Sequence, residues 1–282
     1  FGWIPKRANS LENMGVVRLV YPDLKKAKCP ALLMSKGCKN EDWQNFLKIC
    51  LDYLIRGGRH YMISGEYKDY LTQNTYTSAI YPKDSDLKKN GKTVSKWPTI
   101  KQSKTGVQEE QQSRLVLLLC AVLGYDDVDG FNDEKIANVN GLLTEAWNFI
   151  TSNILEAVDV DNRGYMLDLL GAKVRMQLVD KGYLCPVDNV IVDVTFCGYS
   201  PRINGYLGRS NFERYKVKKE FTYPHFPFKS TEQRDDELIQ WIADNFEMQK
   251  ESGVFSNMHE RIYAQKPIFI SAEHSAQQSR ED

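Results

Sequence analysis

The sequence lacks a long apolar run. The longest, Leu115 to Leu123, is nine residues, too short to cross a bilayer as a helix. It also lacks a surplus of either charge, since Lys plus Arg and Asp plus Glu both number 37. No global field then draws in nucleic acid or an anionic membrane, and any such contact must come from a local patch. Cysteine is sparse, six residues with no Cys-x-x-Cys, which fits reduced thiols acting as small hydrophobes rather than a disulfide framework. A zinc site can be drawn only from Cys29 and Cys38 with Cys185 and Cys197, across eight and eleven intervening residues that ordinary zinc motifs do not use.

Catalytic signatures are missing as well. Histidine occurs only at positions 60, 225, 259 and 274. There is no Gly-x-x-x-x-Gly-Lys-Ser/Thr to cradle phosphates, no Gly-x-Gly-x-x-Gly and no Gly-x-Ser-x-Gly elbow, so these residues contain no complete nucleotide-hydrolysing site. The carboxylate pairs Asp188 with Asp193 and Asp159 with Asp161 could hold Mg²⁺ in a nuclease, but no lysine stands at the spacing such a centre would use, and turn and cap roles suffice for them. Asp126-Asp-Val-Asp-Gly130 and Asp159-Val-Asp-Asn-Arg-Gly164 each resemble half of a calcium loop without the bidentate glutamate that completes one. Both read as acidic turns.

What is present is a succession of mixed elements. Val16 to Tyr21 reads as a strand. Asn40 is placed to cap a helix with Glu41 and Asp42 in its first turn, and Trp43, Phe46, Leu47, Cys50, Leu51 and Leu54 share one face before Gly57-Gly58. Leu115 to Leu123 is apolar on every face, as a helix buried in a core would be. A second long helix is predicted from Leu142 to about Val158. Tyr165 to Leu170 and Lys173 to Val179 are predicted to form a hairpin about Gly171-Ala172, with a further strand from Val190 to Phe196. Tyr223 to Phe228 is a Pro-rich connection. Ser230 with Gln233 makes a capping box for a helix from Asp235 to Glu251, striped by Leu238, Ile239, Ile242 and Phe246. The pattern predicts an α+β fold with helices packed around an irregular antiparallel sheet.

Two stretches carry local positive charge. Tyr81 to Gly106 holds seven lysines against two aspartates with a single Trp97; an extended basic loop of this kind could track a phosphate backbone, and a solvated insertion explains it too. Arg202, Arg209, Arg214, Lys216, Lys218 and Lys219, interleaved with Tyr199, Tyr206, Phe212 and Tyr215, form the strongest nucleic-acid footprint in the chain. Aromatics alternating with bases also describe an ordinary two-faced strand.

The last residues, Pro267 to Asp282, read as a buried strand (Ile268, Phe269, Ile270), a polar turn, and a helix barely begun at Ser279. Glu273 and His274 stand at the end of that strand, where open α/β sheets place ligand-binding groups, although His274 could equally cap the following helix. Ala272-Glu-His-Ser-Ala-Gln-Gln-Ser279 resembles a signature found early in the second RecA-like domain of certain large superfamily 2 (DEAD/DEAH-box) helicases, many of them encoded in prokaryotic anti-phage defence clusters. Gly253 to Arg261 is similar to the segment before that signature. Leu184-Cys-Pro-Val187 with Phe196-Cys-Gly-Tyr-Ser-Pro201 resembles the region joining the two motor domains, and the start, Trp3-Ile-Pro through Gly15, is similar too. Only the eight-residue signature is specific.

The resemblance implies an accessory region between two RecA-like domains, followed by the first strand of the second, truncated. Expected boundaries are 1–110 for a mixed part with the basic loop 81–106, 111–230 for a helical and β-rich part, 231–265 for a helical connector and 266–282 for the start of the motor domain. Glu273, His274 and Gln277 carry over by position as motor-motif residues. Tyr199, Arg202, Arg209, Arg214, Lys216 and Lys218 are the candidate nucleic-acid contacts. The implied cofactors are none in residues 1–282, and ATP with Mg²⁺ for the full-length motor. The implied partners are nucleic acid, DNA ahead of RNA, the remaining helicase domains of the same polypeptide and other defence-system subunits, with no membrane and a cytoplasmic location. A non-catalytic module that binds single-stranded nucleic acid or protein is the alternative.

Overall fold

A computed structural model describes residues 17–56, 59–64, 77–100, 102–103, 106–107, 112–125, 132–179, 181–188, 190–205, 211–222 and 235–252. The chain divides into two compact units, residues 1–220 and 221–282. The capping box at Ser230, the Pro-rich connection and the terminal signature with Glu273, His274 and Gln277 lie outside the described residues, as does Arg209.

Among the described residues the first unit contains four α-helices: α1 (Ala31–Met34), α2 (Asn40–Arg56), α3 (Arg114–Leu123) and α4 (Asp133–Asn153). The predicted face of α2 is buried throughout. Its start differs from expectation. Asn40 lies inside the first turn and its side-chain oxygen accepts the Cys29 N–H at 2.8 Å, while Asp42 accepts the Lys39 N–H at 2.8 Å, the acidic half of a capping box. Helix α3 is enclosed from Leu115 to Cys120 and again at Leu123, with the Ser113 hydroxyl accepting the Leu115 N–H at its start and Gly124 beyond its end, so its uniform apolarity does mark a core helix.

Helix α4 starts and stops earlier than predicted. Asn132 accepts the Lys135 N–H at 2.9 Å and Asp133 and Glu134 occupy the first turn, so a favourable cap and dipole extend the helix upstream of the apolar stripe. Downstream, Glu156 to Asp159 is taken by strand pairing instead, a case of tertiary context overriding helical periodicity.

The strands are short and fall into several small sheets. In order they are β1 (Val17–Val20), β2 (Tyr61–Met62), β3 (Lys88–Lys89), β4 (Lys92–Thr93), β5 (Gln102–Ser103), β6 (Gly106–Val107), β7 (Glu156–Asp159), β8 (Gly164–Asp168), β9 (Arg175–Leu178), β10 (Lys181–Leu184), β11 (Ile191–Val192) and β12 (Glu220–Thr222). The α+β class holds, with the sheet broken into pieces: β2–β8–β7, in which β2 and β8 run parallel, β11–β10–β12, β1–β9, and the hairpins β3–β4 and β5–β6.

The hairpin predicted about Gly171-Ala172 does not form. Strand β8 pairs with β7 and β2, and β9 pairs antiparallel with β1, Val17 opposite Leu178 and Val20 opposite Arg175. Successive turns, with Gly171 N–H on Asp168 O and Val174 N–H on Gly171 O, redirect the chain away from β8. The predicted strand Val190 to Phe196 contracts to Ile191–Val192. A hairpin forms instead where an extended loop was expected: Asn90 and Gly91 take φ of 51° and 74° between β3 and β4, the left-handed pair that an Asn-Gly turn supplies.

The core joins α2, α3, α4 and the loops around Phe196. Trp43 stacks on Phe46 with centroids 5.3 Å apart, Phe46 meets Phe196 at 4.8 Å, and Trp147 lies between Trp97 and Tyr165 at 5.3 and 5.6 Å. Aromatic pairs of this kind add roughly 0.5–1.5 kcal/mol each beyond their buried area. In the second unit α5 (Asp235–Ser252) matches its predicted span, although Ile239 of the expected stripe is 60% exposed. Among the described residues no helix is long and apolar enough to cross a membrane.

Candidate nucleic-acid interface

Three of the four aromatics of the predicted footprint are structural, and the fourth, Tyr206, lies outside the described residues. Tyr199, Phe212 and Tyr215 are all buried. Tyr199 follows a tight turn through Cys197 and Gly198, at φ 47° and 83°, closed by reciprocal backbone bonds between Phe196 and Tyr199. Its hydroxyl donates to Glu213 at 2.7 Å, and the Tyr215 hydroxyl donates to the Asn204 side chain at 2.6 Å. Rings fixed in this way offer no face for a base to stack on. Trp97, the single aromatic of the lysine-rich loop, is likewise buried, with its indole N–H donating to Leu143 O at 2.7 Å.

The cations of the same stretch divide. Lys216 lies 5.8 Å from the Tyr199 ring centroid and 3.7 Å from Glu213, and Arg214 packs 4.9 Å from the Tyr215 centroid. Both are engaged locally. Lys218 is exposed. Arg202 leaves the stretch altogether: it bonds Asp188 through Nε and lies near Arg114 at the start of α3. Among the predicted contacts the structure therefore gathers Tyr199, Arg214 and Lys216 into a packed corner and sends Arg202 toward Arg114, which sequence reasoning missed together with Arg56, another neighbour of Arg114.

Arg114 breaks a local rule. It is the first residue of α3, and no acidic residue occupies that helix's first turn, although the partial positive charge of a helix N-terminus favours anions. Loss of water draws the exposed Arg114 guanidinium below the ordinary arginine range, and Arg202 and Arg56 push the same way against Asp188 and Tyr53. Among the described residues, two guanidiniums and a helix N-terminus thus face one nearby carboxylate. The signal was present in the sequence as an arginine heading a nine-residue apolar run, because violated local rules concentrate where function is carried.

Arg56 connects this group to the interior. Beneath it, Lys48 is buried between Asp52, at 2.6 Å, and Asp193, at 2.8 Å, and the Tyr21 hydroxyl donates to Asp52 at 3.0 Å. Burial raises the Asp193 carboxyl, but the charge and hydrogen bond of Lys48, with Arg56 beyond, outweigh it and hold the group below the usual carboxylate range. Burial lowers Lys48, and the two carboxylates more than reverse that. Among the described residues the interior set is balanced: Lys48 and Arg56 against Asp52 and Asp193.

Three of the four carboxylates of the nuclease reading are engaged with other side chains. Asp188 is held by Arg202 and Asp193 by Lys48, and Asp159 accepts from Asn162, Lys89 and Tyr81, which hold it down to about 2. The thiols fare similarly. Cys29, Cys38 and Cys197 are neighbours, burial being the first cause that pushes each of them up, Cys29 to about 11. Cys185 sits instead in the β10–β11 turn with its N–H on Val190 O. Among the described residues no group of three or more His, Cys, Asp or Glu is placed to hold a metal ion.

No family model, no curated protein and no solved structure matches this chain.

Proposed function

We propose that the chain is a segment of an ATP-dependent DNA helicase or translocase, and that the unit spanning residues 1–220 is its accessory, nucleic-acid-contacting region. The observation that carries nucleic-acid contact is the surplus of guanidinium charge where Arg114 and Arg202 meet Asp188 at the start of α3. Planar, permanently charged guanidiniums beside a helix N-terminus suit phosphate oxygens. The motor assignment is supported by the Ala272 to Ser279 sequence signature, with Glu273, His274 and Gln277 as its motif residues. In that setting ATP and Mg²⁺ belong to the full-length motor, and the other partners are its remaining domains and further subunits of a cytoplasmic anti-phage system.

With Tyr199, Phe212 and Tyr215 turned inward, the contact proposed is to the phosphate backbone, so binding is tolerant of base sequence and steeply dependent on salt. The test is fluorescence anisotropy of a labelled single strand with the 282-residue chain between about 50 and 200 mM salt, beside ATPase activity of the longer gene product. Salt-dependent binding together with strand-stimulated hydrolysis supports the motor segment. Binding without any such hydrolysis supports the non-catalytic module, and absence of binding removes both nucleic-acid readings.

A further inference from the structure

A second cationic feature lies outside the arginine group, at the hairpin β3–β4. The hairpin leans toward β7 and β8 and leaves a cleft of about 490 Å³ between them, within the range of a small-ligand site. One wall is apolar: Ala79, Val94, Val158 and Met166. Val158 is 43% exposed, so its contribution to this wall is uncovered apolar surface rather than core. The lining also includes the hydroxyl residues Thr93 on the hairpin, Ser95 just beyond it, and Thr77 and Ser78.

The mouth is set by a fixed polar network. The Tyr81 hydroxyl donates to Asp159 at 2.9 Å and Lys89 to the same carboxylate oxygen at 3.0 Å, while Asn162 donates to the other at 2.9 Å. Gly164 permits this: a Cβ there would lie 2.7 Å from the Tyr81 ring and 2.9 Å from Asp159 Cβ, so only a glycine lets the ring lie against the β7–β8 turn. Lys89 is thereby neutralised. Lys92, directly opposite it across the hairpin, has no ion-pair partner among the described residues. Like charges facing each other across a hairpin are unfavourable, and here only one of the two is compensated. The lining charges, Lys89 and Lys92 against Asp159, leave one positive charge beside an apolar wall and four hydroxyls.

We propose that this cleft binds one nucleotide, with its base on the Val94, Val158 and Met166 wall, its sugar against the hydroxyl residues and its phosphate at Lys92. The nucleotide is either a free monophosphate or the phosphorylated terminal residue of a strand. The site shares no residue with the Arg56, Arg114 and Arg202 group and stands or falls without it.

Isothermal titration calorimetry of the 282-residue chain with adenosine monophosphate, inorganic phosphate and a short 5′-phosphorylated oligonucleotide decides the matter. Saturable binding of the monophosphate is expected, weakened at least tenfold by Lys92→Gln and by Val158→Glu, with unchanged thermal unfolding of both variants and no effect of Arg114→Gln with Arg202→Gln. A monophosphate that binds as tightly as the oligonucleotide assigns the cleft to free nucleotide; an oligonucleotide that binds at least tenfold tighter, with the same Lys92→Gln sensitivity, assigns it to a strand end. The proposal is overturned if neither ligand saturates, if inorganic phosphate binds as tightly as the monophosphate, or if Lys92→Gln leaves affinity intact.

Discussion

Two groups of charges sit at either end of one short path through the first unit, joined by Arg56. At the inner end Lys48 is enclosed by Asp52 and Asp193, and with Arg56 the signs cancel. At the outer end Arg114 and Arg202 share Asp188, and they do not. The contrast distinguishes two uses of polar residues. Ions buried away from water persist only when opposite charges and hydrogen bonds replace the lost hydration, so a balanced, enclosed set is architecture. An unbalanced set held at the surface is maintained at the expense of mutual repulsion, and an anion relieves that repulsion.

The largest expected effect breaks the inner end. Lys48→Met should leave two buried carboxylates short of a cation and lower stability by about 3–5 kcal/mol, measured by denaturant unfolding. Replacing Lys48, Asp52 and Asp193 together by apolar residues of similar volume should recover most of that loss. If Lys48→Met alone costs less than about 1 kcal/mol, the inner set is not the architectural element described.

Acidity sharpens the same contrast. Asp193 is depressed in the folded chain from an ordinary 3.8, so its contribution is present above that value and is lost as pH falls through the lower folded one. Lys48 is raised from 10.5, so its contribution is present below 10.5 and is lost as pH rises through the folded value. Wild-type stability from this network should therefore be flat across the neutral range and fall at both extremes. In Lys48→Met the acid limb should invert, because protonation then relieves a buried carboxylate. Unfolding midpoints from about pH 3 to 7 check the sign.

Much of this was legible in the sequence. The buried faces of α2 and α3 followed from apolar spacing, and the Asp159 to Gly164 segment is the acidic turn expected, joining β7 to β8. What was not legible shares one cause, long-range pairing. Strand β9 looks like the partner of β8 and goes to β1; Glu156 to Asp159 looks like the end of a helix and goes to β8. Nothing local in either segment names its partner. The Asn90-Gly91 turn was readable and was subsumed in a loop because its flanking lysines show no apolar alternation. The footprint at 199–219 was only partly legible for a related reason: alternation fixes that successive side chains point oppositely, but not which face is covered, and here Tyr199, Phe212 and Tyr215 turn inward. Arg202 could be singled out from its own stretch, whereas Arg56 and Arg114 stand 146 and 88 residues before it (202 − 56 and 202 − 114), beyond the reach of any spacing argument.

A smaller effect is expected from the single carboxylate at the outer end. Asp188→Asn should leave stability within about 1 kcal/mol, as exposed pairs contribute little, while removing the charge that offsets Arg114 and Arg202. Single-stranded DNA should then bind several-fold more tightly in an anisotropy titration. Weaker binding would mean that Asp188 positions Arg202 rather than offsets it. The smallest effect concerns Lys216, which is engaged with Tyr199 and Glu213: Lys216→Gln should change affinity less than either outer arginine.

The central claim, that surplus guanidinium charge at the start of α3 contacts a phosphate backbone, is tested most directly by the salt dependence of single-stranded DNA binding for the wild-type chain and the Arg114→Gln, Arg202→Gln double variant. Each phosphate contact contributes about 0.7 to the slope of log affinity against log salt for single strands. The account predicts that the double variant binds more weakly at every salt concentration, with a slope shallower by roughly 1.4. Unchanged affinity and slope in a variant that unfolds like the wild type would contradict it.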